Sequence, residues 1–455
     1  MRICDLIEHR VAILGLGVEG QATIRALRRA GLSAPIVLLV EKPFALQDTW
    51  GEVRLCQGQE ALSALAEVDL LIRSPGFAPS HPLRLEADRL GLLQTTATNL
   101  FLAEVRQAGL PVIGITGSKG KSTTSTLLYE SLRAAGLPVQ LLGNIGVAAL
   151  DQLPEVLAGG MLTVLEMSSY QCADLLLGPS IALVLNLFPE HMDWHGSIEA
   201  YYQAKMRIGS TQLPGDTLRI DRRAVSWMQA LRPVARAELI QDPAGYHFAD
   251  GWFRRGEEPL FAGSAMRLPG LHNRENGCAV LAAAELVGVG AAVVQQVMGR
   301  FNGLPYRMSD LGVHGGVRWI NDAISTAPEA TVAALQAFLP QVATLIVGGK
   351  DRGYDYSPLL ALLPDSAVRT LIVLPDSGSR VAAMMQQQQL AGCRVVEAAD
   401  LSAAVAWAKR LTPKGWSCLF SPGAPSYNQF ANFSERGQAF MSLVTAEQGG
   451  ADGGS

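Results

Sequence analysis

The segment GITGSKGKSTT at residues 114–124 constrains the chain more than any other stretch. It closes the apolar run VIGI and opens the helix-like pattern STTSTLLYESLRAAG (122–136). A strand that turns through glycines into a helix presents backbone N–H groups and a positive helix end to an anion. Gly117 and Gly120 supply the turn, with Ser118 and Lys119 between them. Lys121 is placed to reach β- and γ-phosphates, and Ser122 or Thr123 to hold Mg2+. The spacing is a short T-G-x-x-G-K-S-T form, since the position of the first glycine in the usual G-x-x-x-x-G-K-[ST] loop is Ile115. Strand, glycines, lysine and Ser-Thr pair together point to an ATP-dependent enzyme.

Elsewhere the chain alternates short apolar runs with helical stretches. VAILGL (11–16), PIVLLV (35–40), LLIRS (70–74), LTVLEM (162–167), IALVLNL (181–187), TLIVGG (344–349) and TLIVLP (370–375) have the length and β-branched content of buried parallel strands. Residues 19–31 and 122–136 read as helices ending at Gly31 and Gly136. The alternation predicts an α/β fold with doubly wound parallel sheets. At ~100–200 residues per domain, 455 residues exceed one core. Three domains are expected: a Rossmann-like one over 1–104, a central phosphate-loop ATPase domain over 105–304, and a Rossmann-like one over 305–455. The glycine-rich end, 449–455, is predicted to be disordered.

Composition removes several classes. With 49% hydrophobic and 17% charged residues the chain is globular in type. A net charge of −4 without long basic runs gives no support for nucleic-acid binding. No apolar run approaches the ~18 residues of a membrane helix, and the N-terminus lacks the pattern of a signal peptide. The six cysteines form no CxxC pair, which suits free thiols in a reducing compartment. A cytoplasmic protein, monomeric and without membrane insertion, is expected.

A second glycine loop, Gly15-Leu-Gly17-Val-Glu-Gly20, follows VAIL, and Glu41 stands at the end of the next strand. This is a dinucleotide-type fingerprint, and an NAD-dependent oxidoreductase is its direct reading. The same geometry serves any pyrophosphate, and Ser74-Pro75-Gly76 is placed to help close a nucleotide-diphosphate site. After the phosphate loop, Glu166 ends a strand, as a Mg2+ ligand would. Among Asn186, Glu190, His191, Asp193 and His195, His191 is the candidate for a second metal, and His195 reads as a solvated loop residue. Lys205, in the helical stretch 199–208, has on spacing alone the look of a solvated lysine.

Taken in order, TGSKGKSTT, GNIG (143–146), LEMSSYQ (165–171), HMDWHGSIEAYYQAKMRI (191–208), LPGLHNRENGCAVLAA (268–283), NDAIST (321–326) and SPGAPSYNQFANFSERG (421–437) closely resemble the Mur ligases of peptidoglycan synthesis. The C-terminal S-x-x-x-x-S-x-x-Q-F-x-N-F-x-x-R-G is most similar to the MurD-like branch, which adds glutamate to UDP-N-acetylmuramoyl-L-alanine. The resemblance implies a UDP-sugar domain, a central ATPase and a C-terminal domain that closes over ATP and brings the amino acid. It implies an acyl phosphate, formed when the substrate carboxylate attacks the γ-phosphate, and then displacement of phosphate by the amine of glutamate. Lys121 would stabilise the phosphoryl group, and Ser122, Glu166 and His191 would serve two Mg2+ sites. Lys205 matches a lysine modified to a carbamate, which turns a cation into an anionic metal ligand. Asn144 matches a residue near the substrate, Asn273 and Asn276 match positions near adenine, and Arg307 and Asp322 match contacts to ATP. Val18, Glu19, Glu41, Lys42 and Ser74 match UDP positions, with identities that differ from the branch pattern.

The chain departs from the D-glutamate pattern N-D-S-K-[SA]-T at Asn321-Asp322-Ala323-Ile324-Ser325-Thr326, where Ile324 replaces the lysine. In Gly348-Gly349-Lys350-Asp351-Arg352, Arg352 stands in a second lysine place. Isoleucine cannot pair with a carboxylate, and arginine binds one as a planar fork. Thr326, Ser426 and Phe433 still match the amino-acid pocket. Glutamate is therefore expected with its carboxylates held differently. This points to L-glutamate, with the D-glutamate enzyme as the alternative and a folylpolyglutamate synthase-like ligase as a more distant one.

Overall fold

All eight apolar runs are strands, and they lie within three sheets. The computed structural model describes residues 1–41, 50–144, 148–230, 236–326, 328–351, 354–387 and 392–446. Lys42, Arg352 and the 449–455 tail lie outside them. The chain forms two units, Met1–Phe301 and Asn302–Ser455. No helix of the described residues is long and apolar enough to cross a membrane, and the six cysteines are free thiols.

The first unit holds two sheets. Strands β1 (Val11–Leu14), β2 (Ile36–Leu39), β3 (Val53–Cys56), β4 (Leu70–Arg73) and β5 (Leu93–Thr95) form a parallel sheet ordered β3-β2-β1-β4-β5. Next come β6 (Val112–Thr116), β7 (Val139–Gly143), β8 (Leu162–Glu166), β9 (Ile181–Val184) and β10 (Thr217–Asp221). They are followed by β11 (Arg236–Ile240), β12 (Tyr246–Ala249), β13 (Trp252–Arg255) and β14 (Glu258–Ala262). These nine make one sheet, β14-β13-β12-β11-β10-β9-β6-β8-β7, antiparallel only through β12, β13 and β14. Central strands such as β1, β6, β8 and β9 are buried along their whole length, which their unbroken apolar runs require. One apolar core reaches from the first sheet to the second. It joins Ile24 and Leu27 of the helix Val18–Arg29 to Leu150 and Leu153 of the helix Ala149–Ala158.

The second unit carries β15 (Ser309–His314), β16 (Val317–Asn321), β17 (Val342–Gly349), β18 (Thr370–Asp376), β19 (Arg394–Glu397) and β20 (Ser417–Phe420). Their order is β15-β16-β20-β17-β18-β19, parallel apart from the β15–β16 pair. Apolar cores cover both faces, one around Trp319 and Phe440, the other around Leu345 and Leu371.

In the first two sheets the chain reverses its winding direction beside one inner strand, β1 between β2 and β4 and β6 between β8 and β9; in the third it runs from β16 through β17 and β18 to the edge strand β19 and returns to insert β20 between β16 and β17. Loops diverge at such points and leave a crevice at the carboxyl ends of the strands.

Candidate active site

The phosphate loop leaves β6 and enters the helix Lys121–Ala134 through Gly120, whose φ of +84° is left-handed. A Cβ on Gly120 would stand 2.3 Å from Asn276 Oδ1, so only glycine fits there. This contact puts Asn276, on the helix Leu271–Glu285, against the phosphate loop itself. Asn276 Nδ2 donates to Asn273 Oδ1 at 3.4 Å, and Asn273 Nδ2 donates to the Pro269 carbonyl at 2.7 Å.

The loop is strapped to the exit of β9. Ser118 N–H donates to the Asn186 carbonyl at 2.8 Å. Asn186 Oδ1 accepts from Lys119 N–H at 2.8 Å, and Asn186 Nδ2 donates to the Lys119 carbonyl at 3.1 Å. Ser118 Oγ accepts from Phe188 N–H at 2.8 Å and lies 2.9 Å from the Tyr201 hydroxyl. The Lys119 ammonium pairs with Glu190. Asn186, read only as one of a polar cluster, and Tyr201, not singled out, thus act on the loop. The available sign was Tyr201 lying four positions before Lys205, on the same helix face.

Two lysines converge beneath this loop. Lys121 Nζ donates to the carbonyls of Gly117 at 2.9 Å and Ser118 at 3.0 Å. Lys205 Nζ donates to the same Gly117 carbonyl at 2.9 Å and lies 4.8 Å from the centre of the Tyr201 ring. Lys205 is only 1% exposed. Burial, and secondarily the charge of Lys121, lowers its ammonium to about 7. The solvated lysine suggested by spacing is therefore a buried one. Its helix, Ile198–Ser210, turns Tyr201, Lys205 and Ile208 inward together.

Glu166, at the end of β8, is likewise 1% exposed. Its Oε1 accepts from Asn144 Nδ2 at 3.2 Å and its Oε2 from Ser125 Oγ at 3.3 Å. Ser125 is a neighbour that the motif did not name, one helical turn beyond Lys121. Ser122 and Thr123 are half-buried at the helix entrance. His191 has a φ of +57°, and its Nδ1 lies 3.0 Å from the Tyr170 hydroxyl. Burial lowers its pKa and favours the neutral imidazole, the form that binds metals. His195 is not the solvated residue expected. It ends the short helix Met192–His195, lies 3.0 Å from Ser169 Oγ, and is lowered to about 4, chiefly by burial. Among the described residues no three His, Cys, Asp or Glu side chains converge as a metal site.

At the edge of the first sheet, Ser74 Oγ donates to the Gly15 carbonyl at 3.3 Å, joining the loops after β1 and β4. Val18 is 65% exposed beside them. Glu19 turns its carboxylate inward, accepting from Gln171 Nε2 at 2.7 Å, and burial raises its pKa. Glu41 lies just beyond the end of β2, 3.4 Å from His81 Nε2. Trp194 Nε1 donates to the Gly76 carbonyl at 3.1 Å and ties the Ser74-Pro75-Gly76 loop to the β9 side of the second sheet.

In the second unit, Asp322 follows β16 and is 4% exposed. Ser421 Oγ donates to its Oδ2 at 2.7 Å and Met308 N–H to its Oδ1 at 3.1 Å, while burial pushes the carboxyl up to about 6. Arg307 is exposed nearby, and its charge opposes that rise. Ile324 N–H donates to the Tyr306 carbonyl at 3.0 Å, and its side chain is half-buried. Thr326 is exposed, Ser426 is buried after β20, and Phe433 is exposed at the start of the helix Phe433–Thr445.

The Mur ligase middle domain matches residues 115–284, and the MurD-like N-terminal domain of Mur ligases matches residues 9–92. A Salinispora tropica protein named UDP-N-acetylmuramoyl-L-alanine–L-glutamate ligase is 36% identical over 460 residues, covering 98% of this chain and 99% of its own. A Symbiobacterium thermophilum protein named UDP-N-acetylmuramoylalanine–D-glutamate ligase is 35% identical over 97% of this chain and 98% of its own. Among solved structures, the Thermotoga maritima UDP-N-acetylmuramate–alanine ligase MurC has the same fold, with a TM-score of 0.55, 14% identity, and coverage of 96% of this chain and 99% of that one.

Proposed function

We propose, from the premise that the chain belongs to the Mur ligase family, that it is a cytoplasmic ATP-dependent ligase joining glutamate to UDP-N-acetylmuramoyl-L-alanine, with L-glutamate preferred. The observation that carries this reading is the convergence of Lys121 and Lys205 on the Gly117 carbonyl, at the mouth of a phosphate loop flanked by Glu166. Full-length relatives named for both glutamate isomers support the ligase class.

The proposed chemistry has two displacements. A carboxylate oxygen of the muramoyl-alanine attacks the γ-phosphorus, an O–P bond forms, and ADP leaves. The neutral amine of glutamate then attacks the acyl carbon, and inorganic phosphate leaves through a tetrahedral intermediate. Lys121 sits where charge builds on the transferring phosphoryl group, and a fixed cation in a dry loop is worth more there than in water. Asn186, Ser118 and Tyr201 keep the loop in register, so alignment is set before the reactants meet. Asn276 and Asn273 border the nucleotide, and Asn144 stands beside Glu166 on the acceptor side.

The donor set fits Mg2+ under one condition. Glu166 accepts only long bonds and keeps lone pairs for a cation, and Ser122 and His191 are suitable ligands. An ammonium on Lys205 would repel the metal. A carbamate there reverses that charge, and an amine lowered to about 7 is substantially neutral at physiological pH and able to attack CO2. When bound, Mg2+ neutralises charge on the phosphoryl oxygens.

Two tests bear on this reading. With ATP and acceptor but no glutamate, hydroxylamine should trap the acyl phosphate as the hydroxamate of muramoyl-alanine; ATP-dependent turnover that never yields hydroxamate would remove the intermediate. Ile324→Lys restores a cation in the amino-acid pocket. It should shift the ratio of kcat/KM for D- over L-glutamate upward by about tenfold, the scale of one charge-assisted hydrogen bond. An unchanged ratio would take Ile324 out of isomer selection.

A further inference from the structure

We propose that Arg436 is the positioning residue on which the amino-acid pocket is assembled, a claim that rests on the glutamate reading above. Arg436 is 2% exposed and lies in the first turn of the helix Phe433–Thr445. Its Nη1 donates to the Ala424 carbonyl at 3.0 Å, and its Nη2 to the carbonyls of Ala323 at 2.7 Å and Ser325 at 3.5 Å. Those carbonyls belong to the loops after β20 and β16. The end of β17 packs beside the same guanidinium: a Cβ on Gly349 would stand 3.1 Å from Arg436 Nη1 and 2.5 Å from the Pro425 carbonyl.

One side chain therefore ties the loop after β16 to the loop after β20 and lies against the end of β17. The two loops carry candidate pocket residues: Ile324 and Thr326 on the first, Ser426 on the second. A guanidinium is a rigid planar fork with five donors and a permanent charge, so carbonyls bound to it are fixed in direction as well as distance. Its Nε is buried without a hydrogen-bond partner among the described residues. An apolar side chain of similar volume would avoid that cost, so filling space does not account for an arginine here. The sheet beneath has its own apolar cores on both faces. The arginine sets the spacing of the loops above them.

Full-length Arg436→Met and Arg436→Lys proteins test this with ATP, UDP-N-acetylmuramoyl-L-alanine and L-glutamate. Methionine keeps the volume and removes the bonds; lysine keeps one donor group. The KM for glutamate should rise about tenfold to a hundredfold in Arg436→Met and less in Arg436→Lys. The KM for the acceptor should stay within about twofold, since neither loop carries a residue matched to the acceptor. Equal changes in both KM values, or a lower melting temperature with unchanged glutamate KM, would overturn the proposal. Should Arg436→Met not fold, Arg436→Lys carries the same comparison. Absence of glutamate-dependent turnover in the unsubstituted protein would instead refute the glutamate reading, a separate result obtained before any variant is compared.

Discussion

Lys121→Ala is expected to lower kcat for ADP release by about 10³-fold, close to 4 kcal/mol of transition-state stabilisation. The melting temperature should hardly change. Lys121 Nζ donates to the loop carbonyls of Gly117 and Ser118 at 2.9 and 3.0 Å. The strap between Asn186 and Lys119 and the contact between Asn276 and Gly120 shape the loop without it. The loss should appear in kcat far more than in the KM for the acceptor, because the charge acts on the transferring phosphoryl group. Near-normal turnover in a folded variant would remove Lys121 from the chemistry.

Lys205→Ala should cost about 10²- to 10³-fold in activity, the scale of losing one fixed charged group from a dry site. Its mechanism differs from that of Lys121. Lys205 is buried where an ammonium is disfavoured, at about 7 and close to Lys121, so neutral amine is available for carbamate formation. Carbamate formation consumes the neutral amine and CO2 and releases a proton. It should therefore decline as pH falls below about 7, and activity in carbonate-depleted buffer should decline most steeply there. Short carboxylates added to Lys205→Ala should restore part of the activity by supplying the missing anion. A carbonyl signal from 13C-labelled CO2, present in the unsubstituted protein and absent from Lys205→Ala, reads the modification independently of turnover. Failure to see that signal at saturating bicarbonate would refute the carbamate.

Much of this was legible in the amino-acid sequence because central parallel strands must be apolar throughout. The runs at 11–16, 112–117, 162–167 and 344–349 stood out for that reason. Strands β3, β5, β7 and β19 did not, because they lie at sheet edges and each buries only one residue fully. The phosphate loop was legible because its chemistry is local: strand, glycines, lysine and helix adjoin in sequence. Lys205 was not, since its burial comes from packing against a loop 88 residues away. The roles of Asn186 and Tyr201 were hidden for the same reason, and so was that of Arg436, whose partners lie up to 113 residues distant. His195 was misread as solvated because nothing in the local sequence announces Ser169 or the surrounding rings. Glu19 was matched to a UDP position only through the resemblance, and its bond from Gln171 Nε2 to Oε1 comes from tertiary packing that no local pattern announces.

The central claim is that the carboxylate of UDP-N-acetylmuramoyl-L-alanine is activated with ATP and joined to glutamate. Incubating the protein with ATP, Mg2+, this acceptor and either glutamate isomer, and following ADP together with the mass of the product, tests it most directly. Stoichiometric ADP and a glutamyl product with L-glutamate, formed faster than with D-glutamate, is the predicted result. Faster ligation of D-glutamate would contradict the isomer assignment, and absence of acceptor-dependent ADP release with both isomers would contradict the claim itself.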